Sequence, residues 1–200
     1  MSIELDEFGM AAEAEPGLTR PGGALPYATS PSYLGSTGTQ YIDTGITPGA
    51  DFTAEIVLSG TVSAGGRQGW QNNEFRITSH PDKIDIVYAN GGETVAGDFS
   101  DLRTVKFGTD GKFYVDGVQI AERSGTISNF FSFYLFQFNN GGSAAAGGGT
   151  GRIARAILKA GGKTVRDFVP AVSFAGLPGL FDRVTQKFFY NNGTGSFVRP

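Results

Sequence analysis

The sequence predicts an all-β fold, a sandwich of two antiparallel sheets. Three observations carry that prediction. Short stretches with period-two hydrophobic alternation follow one another from Phe52 onward. Asp-Gly and Gly-Gly pairs, which accept the positive φ of tight hairpin turns, stand between them. The 200 residues hold 31 glycines and 17 phenylalanines, a turn-rich and aromatic-rich mix that favours many short strands over helices.

In chain order, residues 1–32 stand apart. Ile3, Leu5, Phe8 and Met10 are set among acids, enough for one short helix or a docking peptide, and Pro16, Pro21, Pro26 and Pro31 follow at intervals of five. Proline at that density blocks helix and sheet ladders and holds the chain extended. The segment reads either as a plain tail or as an attachment arm, and residues 33–200 read as the folded domain. Phe52, Ala54, Ile56 and Leu58 alternate with polar neighbours, as do Phe75 and Ile77 in EFRIT and Ile84, Ile86 and Tyr88 in KIDIVYA. In TVKFGTDGKFYVDGVQIA, turns at Asp110-Gly111 and Asp116-Gly117 separate three strands. FFSFYLFQF, residues 130–138, is apolar on both faces, as expected of a central strand covered on both sides. GRIARAILKAGGKTVRDFVPA reads as two strands joined at Gly161-Gly162. The ending GLFDRVTQKFFYNNGTGSFV reads as two short strands around Asn192-Gly193.

Four of these stretches carry a resemblance: YLGSTGTQYIDTGI, TVKFGTDGKFYVDGVQI, YLFQFNNGG with the later GTGRI, and VRDFVPA with the closing GLFDRVTQKFFYNNGTGSF. Together they resemble the concanavalin A-like jelly roll in its laminin-G-like form, over roughly residues 33–198. That form is common in tail, fibre and surface proteins of gut bacteria and their phages. The resemblance implies a jelly roll whose first edge, YLGSTGTQYIDTG, uses small residues to fit tightly beside the last strand. It does not fix a function, because lectins, glycosidases and structural modules share this fold.

Charge and composition exclude several classes. Residues 1–32 hold five acids against Arg20 alone, leaving 15 basic and 14 acidic residues in the domain. So neutral a body has no electrostatic footprint for a phosphate backbone, so nucleic acid is not expected as a partner. No apolar run approaches the ~20 residues that a membrane-spanning helix needs. The acidic start lacks the positive n-region and apolar core of a secretory signal. With no cysteine and only His80, a thiolate or transition-metal centre is not expected. Nor does any loop have the spacing of a dedicated calcium site. No cofactor is implied: AGGKT, residues 160–164, lacks the first glycine of a phosphate loop and reads as a hairpin turn. A jelly-roll glycosidase needs two carboxylates on one cleft, about 5–9.5 Å apart depending on stereochemistry. The Glu-x-Asp-x-Glu type of run that would supply them is missing. Glu55 and Glu74 are the two acids that could meet only across strands, so no catalytic residues are expected.

Two stretches hold candidate ligand-binding residues. GGRQGWQNNEF holds the sole tryptophan, Trp70, with Arg67, Gln71, Asn72 and Asn73 around it. An indole face beside amides suits a sugar ring, and equally suits a core or interface position. The small-residue loop after Phe138 adds Asn139 and Asn140, placed either to close over a ligand or to start a turn. The sequence is therefore read as a non-enzymatic phage virion protein, a decoration, head-fibre or tail component located in the virion. The arm would attach it to a capsid or tail scaffold, and the jelly roll would be displayed towards a surface glycan. The alternatives are a glycan-binding module of a bacterial surface protein and a glycoside hydrolase. The two apolar faces of FFSFYLFQF further suggest a homo-oligomer, with a trimer favoured.

Overall fold

The computed structural model describes residues 25–67, 74–89, 91–127, 131–145 and 149–200. Among them are seventeen strands and no helix: β1 (Leu34–Gly35), β2 (Ile42–Asp43), β3 (Thr53–Gly60), β4 (Val62–Arg67), β5 (Glu74–His80), β6 (Lys83–Ala89), β7 (Gly91–Ala96), β8 (Arg103–Gly108), β9 (Lys112–Val115), β10 (Val118–Glu122), β11 (Tyr134–Phe136), β12 (Asn139–Asn140), β13 (Ser143–Ala144), β14 (Gly151–Ala160), β15 (Lys163–Val172), β16 (Pro178–Asp182) and β17 (Lys187–Phe189). The first sheet runs β10-β9-β8-β3-β14-β15-β16-β17, with β1 also on β14. The second runs β13-β12-β4-β5-β6-β7, with β11 joining β4 to β2. All pairs are antiparallel except β12 with β4. This is the jelly-roll sandwich the alternation predicts.

Alternation decides the core. Ala54, Ile56 and Leu58 of β3 face Ala64, Ile77 and Ile86 of the second sheet in one buried cluster. Phe52, Phe75, Phe107 and Phe133 sit at its centre with ring centroids 5.2–6.2 Å apart. Aromatic pairs at such spacing add to their area burial. Glycines allow the chain to change sheets: β3 and β4 are separated only by Thr61, and Gly60 turns the corner at φ +71°. The turns at Asp116-Gly117 and Gly161-Gly162 fall between β9 and β10 and between β14 and β15, all four residues at positive φ.

The first edge has the tightness the resemblance implies. Gly35 exchanges backbone hydrogen bonds with Val198, and a Cβ on Gly35 would stand 2.6 Å from Val198 Cγ2. Pairing begins before Tyr33, however. Thr29 bridges Val172, Ser30 Oγ donates to the Pro170 carbonyl at 3.0 Å, and Tyr27 packs edge-on against Phe181. Residues 28–30 run beside β15 and residues 34–35 beside β14, both antiparallel, so the chain reverses between them.

Two expectations change. The described part of that stretch, residues 131–138, is not one long strand: Tyr134–Phe136 alone pair within it, and Phe136 turns out of the ladder at φ +70°. Its second face is covered within the chain, where Tyr134 stacks on Tyr41 at 4.9 Å and Phe136 packs on Phe197 at 4.7 Å. The surplus apolar face therefore gives no ground of its own for a second copy. The closing hairpin turns at residues 183–186, not at Asn192-Gly193. Asp182, fully buried, accepts from the amides of Asp167, Val184 and Thr185 and from the Thr185 hydroxyl, which winds the chain into β17. Asn191 and Asn192 instead bind the Tyr41 and Asp43 backbone.

Candidate functional site

The outer face of the second sheet follows from register. Directly opposed residues share a face, so Arg67 lies beside Glu74, Ser63 beside Thr78, Thr78 beside Asp85, and Asp85 beside Thr94. Glu74 is the hinge of this face: its two carboxylate oxygens accept from Arg76 Nε at 2.7 Å and Arg67 at 3.4 Å. Arg67 Nε also donates to Asn140 Oδ1 at 2.7 Å. Phe138, carried over by the turn at Phe136, places its ring under both cations, 4.5 Å from Arg76 Cζ and 5.7 Å from Arg67 Cζ. Aromatic stacking below and a carboxylate at the side fix the plane of the Arg76 guanidinium.

Arg76 leans towards Phe138, and beyond it the face opens into a groove of about 450 Å³ over Val87 and Gly92, walled by Lys83, Asp85, Glu93 and Thr94. Gly92 has no side chain to fill it. Asp85 accepts from Thr94 at 2.6 Å and pairs with His80 Nε2 at 3.0 Å. Burial pushes the Asp85 carboxyl up, but the hydrogen bonds from Thr94 and His80 and the charge of Lys83 outweigh it and hold it below the ordinary aspartate value. The groove is thus lined by a fixed cation, a fixed anion and a hydroxyl, with a small apolar floor.

Of the residues singled out from sequence, Arg67 and Asn140 meet here. Asn139 is 1% exposed and is engaged in its own loop, donating to the Ser132 carbonyl and accepting from the Gly142 amide. Its side chain shapes the turn that carries Phe138 and Asn140. Trp70, Gln71, Asn72 and Asn73 lie outside the described residues. Sequence reasoning missed Arg76, Asp85, Thr94 and Phe138. The outward alternation of EFRIT and KIDIVYA marks Arg76 and Asp85, but nothing local to Phe138 shows that it folds back over β4.

Glu55 and Glu74 do not come together: Glu55 points outward from the first sheet, opposite Lys106 and Ile157, and Glu74 outward from the second. Among the described residues, no group of three or more His, Cys, Asp or Glu side chains is arranged to hold a metal ion.

No family model matches the chain, and no curated protein does. Solved structures similar to it include the K499G mutant of NanB sialidase from Streptococcus pneumoniae, at 17% identity and TM-score 0.43 over 68% of this chain and 27% of that one. The same sialidase in complex with 2-[(3-chlorobenzyl)ammonio]ethanesulfonate gives 17% identity and TM-score 0.42 over the same shares. The Ruminococcus gnavus IT-sialidase CBM40 gives 11% and 0.36, over 66% of this chain and 87% of that one. The chain spans about a quarter of the sialidase's length, and likeness at this level transfers no residue role.

Proposed function

We propose that the protein is a non-catalytic glycan-binding module whose site is the outer face of the second sheet. One observation carries the reading: Arg76 is locked flat between Phe138 and Glu74 at the rim of an open polar groove. Sugars offer vicinal hydroxyls and weakly apolar ring faces. Planar guanidinium and carboxylate groups held in fixed planes match the hydroxyls in pairs, and a small apolar floor matches the ring. Because both charged groups are already oriented, little side-chain entropy is lost on binding.

The test is a glycan array with the full-length chain, followed by calorimetry on whatever binds. Arg76→Gln and Phe138→Ala should each weaken binding by about tenfold or more, since the first removes the half-buried cation and the second the ring that holds it. No glycan bound, or unchanged affinity in both variants, overturns the reading. Release of reducing sugar from a bound polysaccharide would overturn its non-catalytic part.

Display at the end of an N-terminal tether, as on a phage virion, is the second reading, and the place where residues 27–30 join the domain is compatible with it. Residues 27–30 dock on the first sheet, away from the outer face of the second. Mass spectrometry of purified particles decides it: recovery of the chain supports this setting, and absence removes it.

A further inference from the structure

The first sheet carries a second groove, unrelated to the face above. Gly35, Arg152 and Ser59 form one row across β1, β14 and β3. The row opens into a groove of about 380 Å³, which Thr150 and Ser100 also line. Its polar groups are unevenly supplied with partners. Ser100 already donates its hydroxyl to Asp98, and Ser36, at the rim, donates to Gln40. Ser59 is 3% exposed, and among the described residues its hydroxyl has no hydrogen-bond partner. Buried hydroxyls ordinarily have one. Arg152 makes no ion pair among the described residues; its guanidinium lies 4.6 Å over the Tyr33 ring, which sets its plane. Among the described residues no carboxylate lines the groove.

We propose that this groove is a binding site for a small oxyanion: a sulfate, phosphate or carboxylate group, free in solution or carried on a sugar. The guanidinium fork supplies two parallel N–H donors to such a group, and the Ser59 and Thr150 hydroxyls supply donors to its remaining oxygens. One glycine keeps the row clear: a Cβ on Gly35 would stand 2.6 Å from Val198 Cγ2, so that position beside Arg152 can carry no side chain.

The experiment is an amide-resolved NMR titration of the full chain with sodium sulfate, sodium phosphate, N-acetylglucosamine 6-sulfate and, as neutral control, N-acetylglucosamine. Saturable shifts at Ser59, Gly60, Gly151 and Arg152 are expected with the anionic probes and not with the control. Tighter binding of the sulfated sugar than of sulfate assigns the anion to a glycan, and equal binding assigns it to the free ion. Arg152→Gln should weaken binding by about tenfold, Ser59→Ala by a smaller factor, and Arg76→Gln not at all. Shifts that never saturate, or that survive Arg152→Gln, overturn the proposal. If Arg152→Gln lowers the melting temperature, Ser59→Ala and Thr150→Val decide instead, since neither touches the Tyr33 stack. Unchanged affinity in both then overturns it.

Discussion

Each sheet carries a knot of arginines and carboxylates, and the two knots do opposite things. On the first sheet Asp167 takes Arg155 at 3.0 Å and Arg183 at 3.4 Å, and its amide donates to the fully buried Asp182. Every strong acceptor there is met by backbone amides, a hydroxyl or a guanidinium of the chain itself. On the second sheet Glu74 likewise holds two arginines, but Arg76 stands at the edge of an open groove, over an aromatic ring. Identical residue types thus close a hairpin in one place and present a prepared surface in the other. What separates them is that the first knot is anchored on Asp182, a buried carboxylate met by backbone amides, whereas Glu74 is met by the two arginines of an open face.

The largest effect expected from this contrast is at Asp182. Asp182→Ala removes the buried acceptor of three backbone amides and a hydroxyl beneath an exposed turn, and should cost about 3–5 kcal/mol of stability. Urea denaturation measures it, and a loss under about 1 kcal/mol would mean that the two knots do not differ in kind. Asp182→Asn, which keeps one acceptor oxygen, should cost less.

Truncation comes next. Removing residues 1–24 should leave stability unchanged. Removing 1–32 also deletes the hydrogen bonds of residues 28–30 to β15 and the Tyr27–Phe181 contact. That chain should still unfold cooperatively, about 2–3 kcal/mol less stable at roughly 1 kcal/mol per hydrogen bond. Equal stability of the two truncations would make the docking of residues 27–30 incidental.

The smallest effect is the acid limb of the second sheet. Asp85 is held below its ordinary value, so its contribution is fully present above the ordinary aspartate range and is lost as pH falls through the lowered folded value. Asp85→Asn should abolish that component of the pH dependence and change neutral stability by less than about 1 kcal/mol, because the pair is partly exposed. An unchanged acid limb in Asp85→Asn would place the titrating group elsewhere. Trp70→Ala tests the candidate read from sequence alone: a melting temperature held with binding lost makes the indole a ligand platform, and a loss of about 3–5 kcal/mol makes it core.

The sequence alone determined the fold and its inward faces, because alternation and turn chemistry are local. Ala54, Ile56 and Leu58, or Phe75 and Ile77, read as inward from their spacing and are inward. The Asp116-Gly117 and Gly161-Gly162 turns read as hairpins because few other residue pairs accept positive φ at consecutive positions. What lay beyond it required contacts distant in the chain. Phe138 reaches Arg67 and Arg76 only because Phe136 leaves its strand at positive φ, a conformation that an apolar run does not announce. Asn139 and Asn140 are alike in sequence, yet one is turned into its loop and the other meets Arg67. Arg152 and Ser59 are 93 positions apart and become neighbours only through the register of β14 on β3. Local pattern fixes which face a side chain takes; only tertiary packing decides whether its charge is spent within the chain or left for a ligand.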